Sequence, residues 1–528
     1  MKRWLAAAGL WAFCGALLLP LFLPVLSADG TSYISIAVKY YKGDFSHAIN
    51  GYWGPLISWL MVPLLALRID PVAAARIVIL LAGFPMLWAV RRFSAELDLG
   101  EPLSFLLLLA CLPIGLYMTF TMITPDFLVT AILLAYLAVF LGAGFPRCWT
   151  SGLGCGVLGA FAYFAKPYAF FFFLLHFSLG IALRSLTRKT AAERRRLLTA
   201  GLAGLAVFAV LSGAWIGLIS HKYHRLLINS AGRYNISSLR PGSPGQPIQT
   251  SGFLPPPNGT ASSAWEDPDL IPLPEWSPIR SKADFKFFLG LMGRNSRDFI
   301  AGLDDFSPLG PFIFLGGLGI VGAAAARRFS RRPANRLAAL IGTLVVYSLG
   351  YGFLLIEDRY LWLDDFLLLF TAVGLVSFLL SRKPGRNWWA ALAALPILAS
   401  FLILPANFFP YYRVMSTSET MFPARATRDL ALRLKEDYRL SGRFASSGYW
   451  NESMIIAALD HLQYYGQVRP EWSGPQLEAE LKKHGLRYFF LWRHNDSIFD
   501  FLKDKYIELT NGEVPGLEIY LLKERPMT

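Results

Sequence analysis

Charged residues are scarce in this chain. Only 16% of its 528 residues are Asp, Glu, Lys or Arg, against roughly 25% in soluble domains. Hydrophobic residues make up 54%, and mean hydropathy is +0.42. A deficit spread along most of the chain excludes water as the main solvent. Cysteine is equally sparse. Cys14, Cys111, Cys148 and Cys155 all lie in or beside apolar runs, and none sits in the long polar segments. Nothing there suggests a disulfide framework or a Cys-based metal site. A Walker loop, an HExxH pair and a Gly-rich dinucleotide fingerprint are also missing from any suitable context. The formal net charge is +14. Its basic residues cluster between apolar runs, where they act as topology signals, so the reading is no nucleic acid partner.

What is present is a succession of apolar runs. Those long enough to cross a bilayer lie near 5–27, 72–90, 102–120, 127–144, 151–165, 168–184, 197–219, 308–326, 337–356, 360–380 and 388–406. The fold class expected is a polytopic α-helical membrane protein of about eleven transmembrane helices, with a small C-terminal α/β domain. The first run follows Met1-Lys2-Arg3 and imitates a signal peptide. From Leu5 to Leu26 it is long enough to span, so an uncleaved first helix is expected. The segment 54–67 is apolar but short, and reads as an interfacial or re-entrant helix.

Orientation follows from Lys and Arg. Lys2-Arg3, Arg91-Arg92, Arg147, Arg184 to Arg196, Arg327 to Arg336 and Arg382 to Arg386 share one side if 54–67 does not span. The positive-inside rule makes that side the cytoplasm. The expected localisation is a bacterial inner membrane, with the N-terminus cytoplasmic. The transmembrane domain covers 1–406 and carries two outward loops, 28–71 and 220–305. The second is rich in Pro, Gly and Ser, and reads as a binding or lid loop with some disorder. Residues 407–528 form the periplasmic α/β domain, with helices at Arg425 to Glu436 and Gln476 to His484. Buried strands are expected at Tyr488 to Trp492 and Leu517 to Leu522.

Charges at the outward ends of apolar runs are the candidates for chemistry. Asp29 follows the first crossing. An acid there is often only a solvated interface residue, but Tyr33, Lys39, Tyr40, Tyr41, Lys42 and then Tyr52-Trp53-Gly54-Pro55 build an elaborate structure around it. Residues 33–47 alternate as an amphipathic helix on the membrane surface would. Asp126, in Thr124-Pro125-Asp126, is a second outward acid, although Pro-Asp is also an ordinary helix start. Lys166 sits in an outward turn among aromatics; a snorkelling turn residue is the plain alternative, a phosphate contact the functional one. Glu357-Asp358-Arg359-Tyr360 is either a hydrophilic cap or a phosphate clamp, for which Arg has the right planar fork. His221 and His224 are three apart and suit one helix face, though solvated histidines are the commoner case. Gly152-Leu-Gly-Cys-Gly156 and Gly316-Gly317-Leu-Gly319 read as helix-packing faces.

The order of these motifs resembles the GT-C superfamily of membrane glycosyltransferases. The branch is the bacterial group related to protein mannosyltransferases and the lipid A aminoarabinose transferase. Ala28-Asp29-Gly30 with Tyr33, Trp53-Gly54-Pro55-Leu56-Ile57-Ser58-Trp59-Leu60, Ala75-Arg76-Ile77, Thr124-Pro125-Asp126, Ala165-Lys166-Pro167 and Glu357-Asp358-Arg359-Tyr360 carry the likeness. It implies a polyprenyl-phosphate sugar donor and a glycan, lipid or protein acceptor. It also implies Asp29 as base, Asp126 as the second loop acid, and Lys166 or Arg359 on the carrier phosphate. Tyr33, Tyr52, Trp53, Glu357, Asp358 and His221 are candidate substrate contacts. Gly54 stands where relatives often have a first proline, and Tyr52 and Trp53 where some have charged residues. That leaves a metal open; oxygen ligands would point to Mg or Mn. Competing classes are a transporter or flippase of lipid-linked sugars, and a membrane scaffold. No internal repeat of the transporter kind is visible.

Overall fold

The computed structural model describes residues 2–523 except 275, 326–331, 381–385, 418–422 and 493–496. Part of the basic run Arg327 to Arg336 and most of Arg382 to Arg386 lie outside the described residues.

Every apolar run becomes helical. The first is α1 (Lys2–Phe22). It is followed by α2 (Ala28–Tyr41), a turn α3 (Phe45–Ala48), the short α4 (Leu56–Ala66) and α5 (Pro71–Leu81). α6 (Gly83–Glu96) continues α5, and α7 (Glu101–Thr121), α8 (Asp126–Phe140), α9 (Trp149–Ala165), α10 (Ala169–Thr187) and α11 (Ala191–Tyr223) complete the first half. After a loop bearing α12 (Ala231–Ser238) and α13 (Pro247–Thr250) come α14 (Lys282–Phe306), α15 (Gly310–Ala325), α16 (Arg332–Gly352), α17 (Trp362–Leu379), α18 (Arg386–Ser400) and α19 (Ile403–Thr417).

By length and apolarity, six spans among the described residues qualify to cross a membrane, or eight if two bent pairs each count as one. The eleven sequence runs thus correspond to helices, but not all are long spans. α8 has 15 residues, and the 388–406 run is broken into α18 and α19, bent by 47°.

Local chemistry fixes the ends that matter. The Ser27 hydroxyl accepts the Gly30 N–H and starts α2 one residue before Asp29. The helix expected at 33–47 therefore begins earlier and contains the acid itself. It is not a solvated surface helix either: Lys39 is 4% exposed and pairs with Glu266. Asp70 caps α5, with Pro71 in its first turn. Arg76, wholly buried, donates to the carbonyls of Thr119 and Val25, tying α5 to the ends of α7 and α1. Gly152 and Gly156 lie against the carbonyls of Ala200 and Gly204, so α9 and α11 approach backbone to backbone.

The loop read as 220–305 is shorter than expected, because α14 starts at Lys282. Its apolar residues are diluted by Lys, Arg and Asp, which hid it among apolar runs; Ser281 caps it, and it meets α15 at 113°.

The C-terminal part begins with α20 (Pro423–Arg433), and its five strands are β1 (Arg443–Ser446), β2 (Gln463–Gln467), β3 (Tyr488–Trp492), β4 (Ile507–Glu508) and β5 (Leu517–Leu521). The order is β2-β1-β3-β5-β4. β1 runs parallel to β2 and β3, while β3–β5 and β5–β4 are antiparallel. All five residues of β3 are buried, as a central strand covered on both faces requires. α21 (Trp450–Asp460), α22 (Gly474–Lys483) and α23 (Asp500–Lys505) complete it.

Candidate active site

The ends of several helices converge on a cavity of about 580 Å³. Asp29, Asp126, Lys166 and Arg359 all line it, as do Tyr33, Tyr52, Trp53, Glu357 and Asp358. His221 does not. It ends on the surface of α11, its ring 6.5 Å from that of His224, and α11 stops before His224, which takes a left-handed backbone. The two neighbours that turn inward instead are Lys222 and Tyr223, which both bond Asp267.

Five charges form one chain of contacts. Arg359 Nη1 donates to Asp29 Oδ2 at 2.9 Å and lies 3.9 Å from Asp126 Oδ2. Its Nε donates to Glu357 Oε2 at 2.7 Å. Lys166 Nζ donates to Asp126 Oδ1 and stands 3.6 Å from the centre of the Tyr360 ring, a cation–π distance. Arg359 is therefore shared by three carboxylates, and Asp126 by two cations. The pairings join the starts of α2 and α8, the end of α9 and the 357–360 turn. Desolvating this many charges costs several kcal/mol per ion unless geometry repays it.

Aromatic rings hold the acid from the other side. Trp265 Nε1 donates to Asp29 Oδ1 at 3.0 Å, so both oxygens of Asp29 accept. Trp53 Nε1 donates to the Trp265 carbonyl at 3.0 Å, and the two rings meet edge-on at 5.5 Å. Tyr33 packs on Trp53 at 5.0 Å and Tyr52 on Trp265 at 5.5 Å. The loop is pinned beside this cluster. Asn50 Nδ2 donates to the Glu266 carbonyl at 2.7 Å, and Ser35 donates to the Glu266 carboxylate. Burial pushes the Asp267 carboxyl up, while Lys222 and Tyr223 draw it back down.

Gly54 explains itself here. A Cβ at that position would overlap the carbonyl oxygens of Phe164 and Ala165. The bend Tyr52-Trp53-Gly54 thus presses against the end of α9 immediately before Lys166.

The sequence did not point to Trp265, nor to Trp450 and Asn451, which line the cavity from the C-terminal part. Ala28 N–H donates to Asn451 Oδ1 at 2.9 Å across 423 residues. No local spacing encodes such a contact. The one available signal was a Trp followed by two acids in an otherwise Pro-rich loop, Trp265-Glu266-Asp267.

No protein-family model matches the chain, and no curated protein matches it. Solved structures do. ArnT from Cupriavidus metallidurans bound to undecaprenyl phosphate superposes with a TM-score of 0.56 at 14% identity, over 97% of this chain and 97% of that one. ArnT from the same organism in the apo state gives 0.54 at 14% identity, over 98% of each chain. At that identity the likeness is one of fold. The chain is a polytopic helical membrane protein by its apolar spans. Its fold resembles that of ArnT over nearly the whole length of both chains.

Proposed function

We propose that the chain is an inverting glycosyltransferase that moves a sugar from a polyprenyl phosphate to an acceptor hydroxyl on the extracytoplasmic face of a bacterial inner membrane. The observation that carries this reading is the meeting of Asp29 and Asp126 with Arg359 and Lys166 in one cavity. A lipid-linked donor suits its setting. Phe171, Leu354 and Leu355 give the cavity an apolar flank, and the ArnT of similar fold was crystallised with undecaprenyl phosphate.

In this mechanism an acceptor hydroxyl attacks the anomeric carbon as the bond from that carbon to the phosphate oxygen breaks. Asp29 takes the hydroxyl proton. The leaving polyprenyl phosphate gains the negative charge, which Lys166 and Arg359 offset. Arg359 would exchange a carboxylate for the phosphate as the donor arrives, because a guanidinium binds either through the same fork. The aromatic cluster and the 251–271 loop exclude water that would otherwise hydrolyse the donor.

Mg or Mn does not fit the donor set. No group of three or more metal-binding side chains stands together among the described residues. Asp29, Asp126 and Glu357 each already pair with Arg359 or Lys166. No step is routed through a metal.

Purified protein incubated with a labelled polyprenyl-phosphate sugar tests the reading. Transfer or hydrolysis supports it, and Asp29→Asn should lower turnover by about 10²–10⁴-fold, the usual worth of a general base. Retained turnover in that variant sinks the base assignment. Translocation of the lipid without chemistry would replace the enzyme with a flippase.

A further inference from the structure

The cavity has a second wall that the reaction above leaves unused. Asn229, Asn235, Gln246 and Gln249, from the segment that carries α12 and α13, line it together with Asn451 of α21. All five are half-buried. Two of the five have their carbonyl oxygens engaged: Asn229 Oδ1 accepts from Gly232 N at 3.3 Å, and Asn451 Oδ1 from Ala28 N. Among the described residues, none of the five side-chain NH₂ groups donates to a protein acceptor. Five carboxamides with free donors face one space.

The division of charge is complete. Asp29, Asp126, Lys166, Glu357, Asp358 and Arg359 are the charged residues lining the cavity, and every one comes from the helical membrane part. The lining residues of the 229–265 segment and of α21 carry no charge at all. Among them Trp450 is a half-buried indole, while Trp265 is already packed by Tyr52, Trp53 and Tyr234.

We propose that this wall is a subsite for a neutral, hydroxyl-rich saccharide ring. A carboxamide offers two donors and an acceptor in one plane. A sugar hydroxyl likewise donates and accepts, so adjacent hydroxyls match one amide. An indole face covers the apolar C–H side of a pyranose. A cationic amino sugar or a uronate would bring a charge against side chains that carry none of their own, while the cavity's carboxylates and cations already pair with one another, so its desolvation would be poorly compensated. The proposal rests on the transferase reading for its purpose, since the ring could belong to the donor sugar or to an acceptor glycan, but not for its chemistry.

The test is therefore a binding measurement. Full-length protein in detergent is examined by saturation-transfer NMR with methyl glycosides of neutral hexoses and pentoses, and with an amino-sugar glycoside and a glucuronide as charged comparators. Neutral glycosides should bind at millimolar concentration, and the charged ones at least roughly fivefold more weakly, the scale of one net hydrogen bond. Asn235→Ala with Gln249→Ala should lower the neutral signal by a similar factor. Binding of undecaprenyl phosphate by the same variant should not change, which shows it is folded; Gln249→Ala alone should show half the effect or less. A neutral glycoside displaced by polyprenyl-phosphate mannose but not by undecaprenyl phosphate marks the donor's ring. One that binds alongside that donor marks an acceptor. Absence of binding by every neutral glycoside, equal binding of the charged ones, or an unchanged signal in the double variant overturns the proposal. A wild-type protein that binds neutral glycosides yet shows no turnover would instead count against the transferase reading alone.

Discussion

Asp29 accepts from a guanidinium and from an indole, and the two donors have separable consequences. Arg359 brings a charge to the carboxylate, whereas Trp265 brings a neutral N–H. Trp265→Phe keeps a ring against Trp53 but removes the N–H that Asp29 Oδ1 accepts. The expected result is a fall in kcat of about tenfold, in line with one charged hydrogen bond of about 1.5–3 kcal/mol. Binding of undecaprenyl phosphate should stay unchanged. An unchanged kcat would reduce Trp265 to packing. Asp460 offers a titration, far from the site. It ends α21, where the helix dipole disfavours an anion, and its carboxyl oxygens meet no donor. Burial pushes it up to about 7, against a smaller pull from Lys435. The folded state thus prefers the protonated acid. Its stability contribution is fully present below the unfolded carboxylate range of roughly 4, and is lost as pH rises toward about 7. Asp460→Asn should raise the thermal midpoint at pH 8 and leave it nearly unchanged at pH 4.

At the scale of elements, the close approach of the Tyr52–Gly54 passage to α9 is the constraint most open to test. In Gly54→Ala the added methyl meets backbone carbonyls, which cannot rotate away. A loss of about 1–3 kcal/mol is expected, as for other overpacked sites, read as a lower denaturation midpoint in detergent. Undecaprenyl phosphate binding should weaken with it, because Lys166 follows the displaced carbonyls directly. How far such elements were legible depends on what held them. The apolar runs announced their helices, because lipid demands about 20 apolar residues and satisfied backbone groups. Asp29, Asp126, Lys166 and Arg359 were legible as charges at the ends of those runs. α14 was not, because its charges mask a helix that still caps at Ser281. β3 and β5 showed as apolar runs; β1 and β2 were missed because Arg443, Gln463 and Gln467 dilute them.

At the scale of the molecule, the C-terminal sheet is part of the site. Its α21 supplies Asn451 to the first residue of α2, one position before Asp29. In Asn451→Leu the Ala28 N–H loses its acceptor, a change of about 1–3 kcal/mol for a buried donor left unmade. Transfer should drop at least about tenfold while the sheet keeps its protease resistance; unchanged transfer would make the contact incidental. This level of organisation was invisible in the sequence, since 423 residues separate the partners. The same holds for the loop that bridges the two parts. Leu254 N–H donates to the Tyr465 carbonyl, and Ser263 pairs with Tyr464 along the edge of β2. Two residues later the loop delivers the Trp265 indole to Asp29. Two extended residues span at most about 7 Å. The sheet and Asp29 are therefore joined by a short link for as long as the Ser263–Tyr464 pairing holds. A withdrawal of the sheet beyond that reach either breaks the pairing or draws the indole from the carboxylate, so the aim of Asp29 is tied to a contact more than two hundred residues away in the chain.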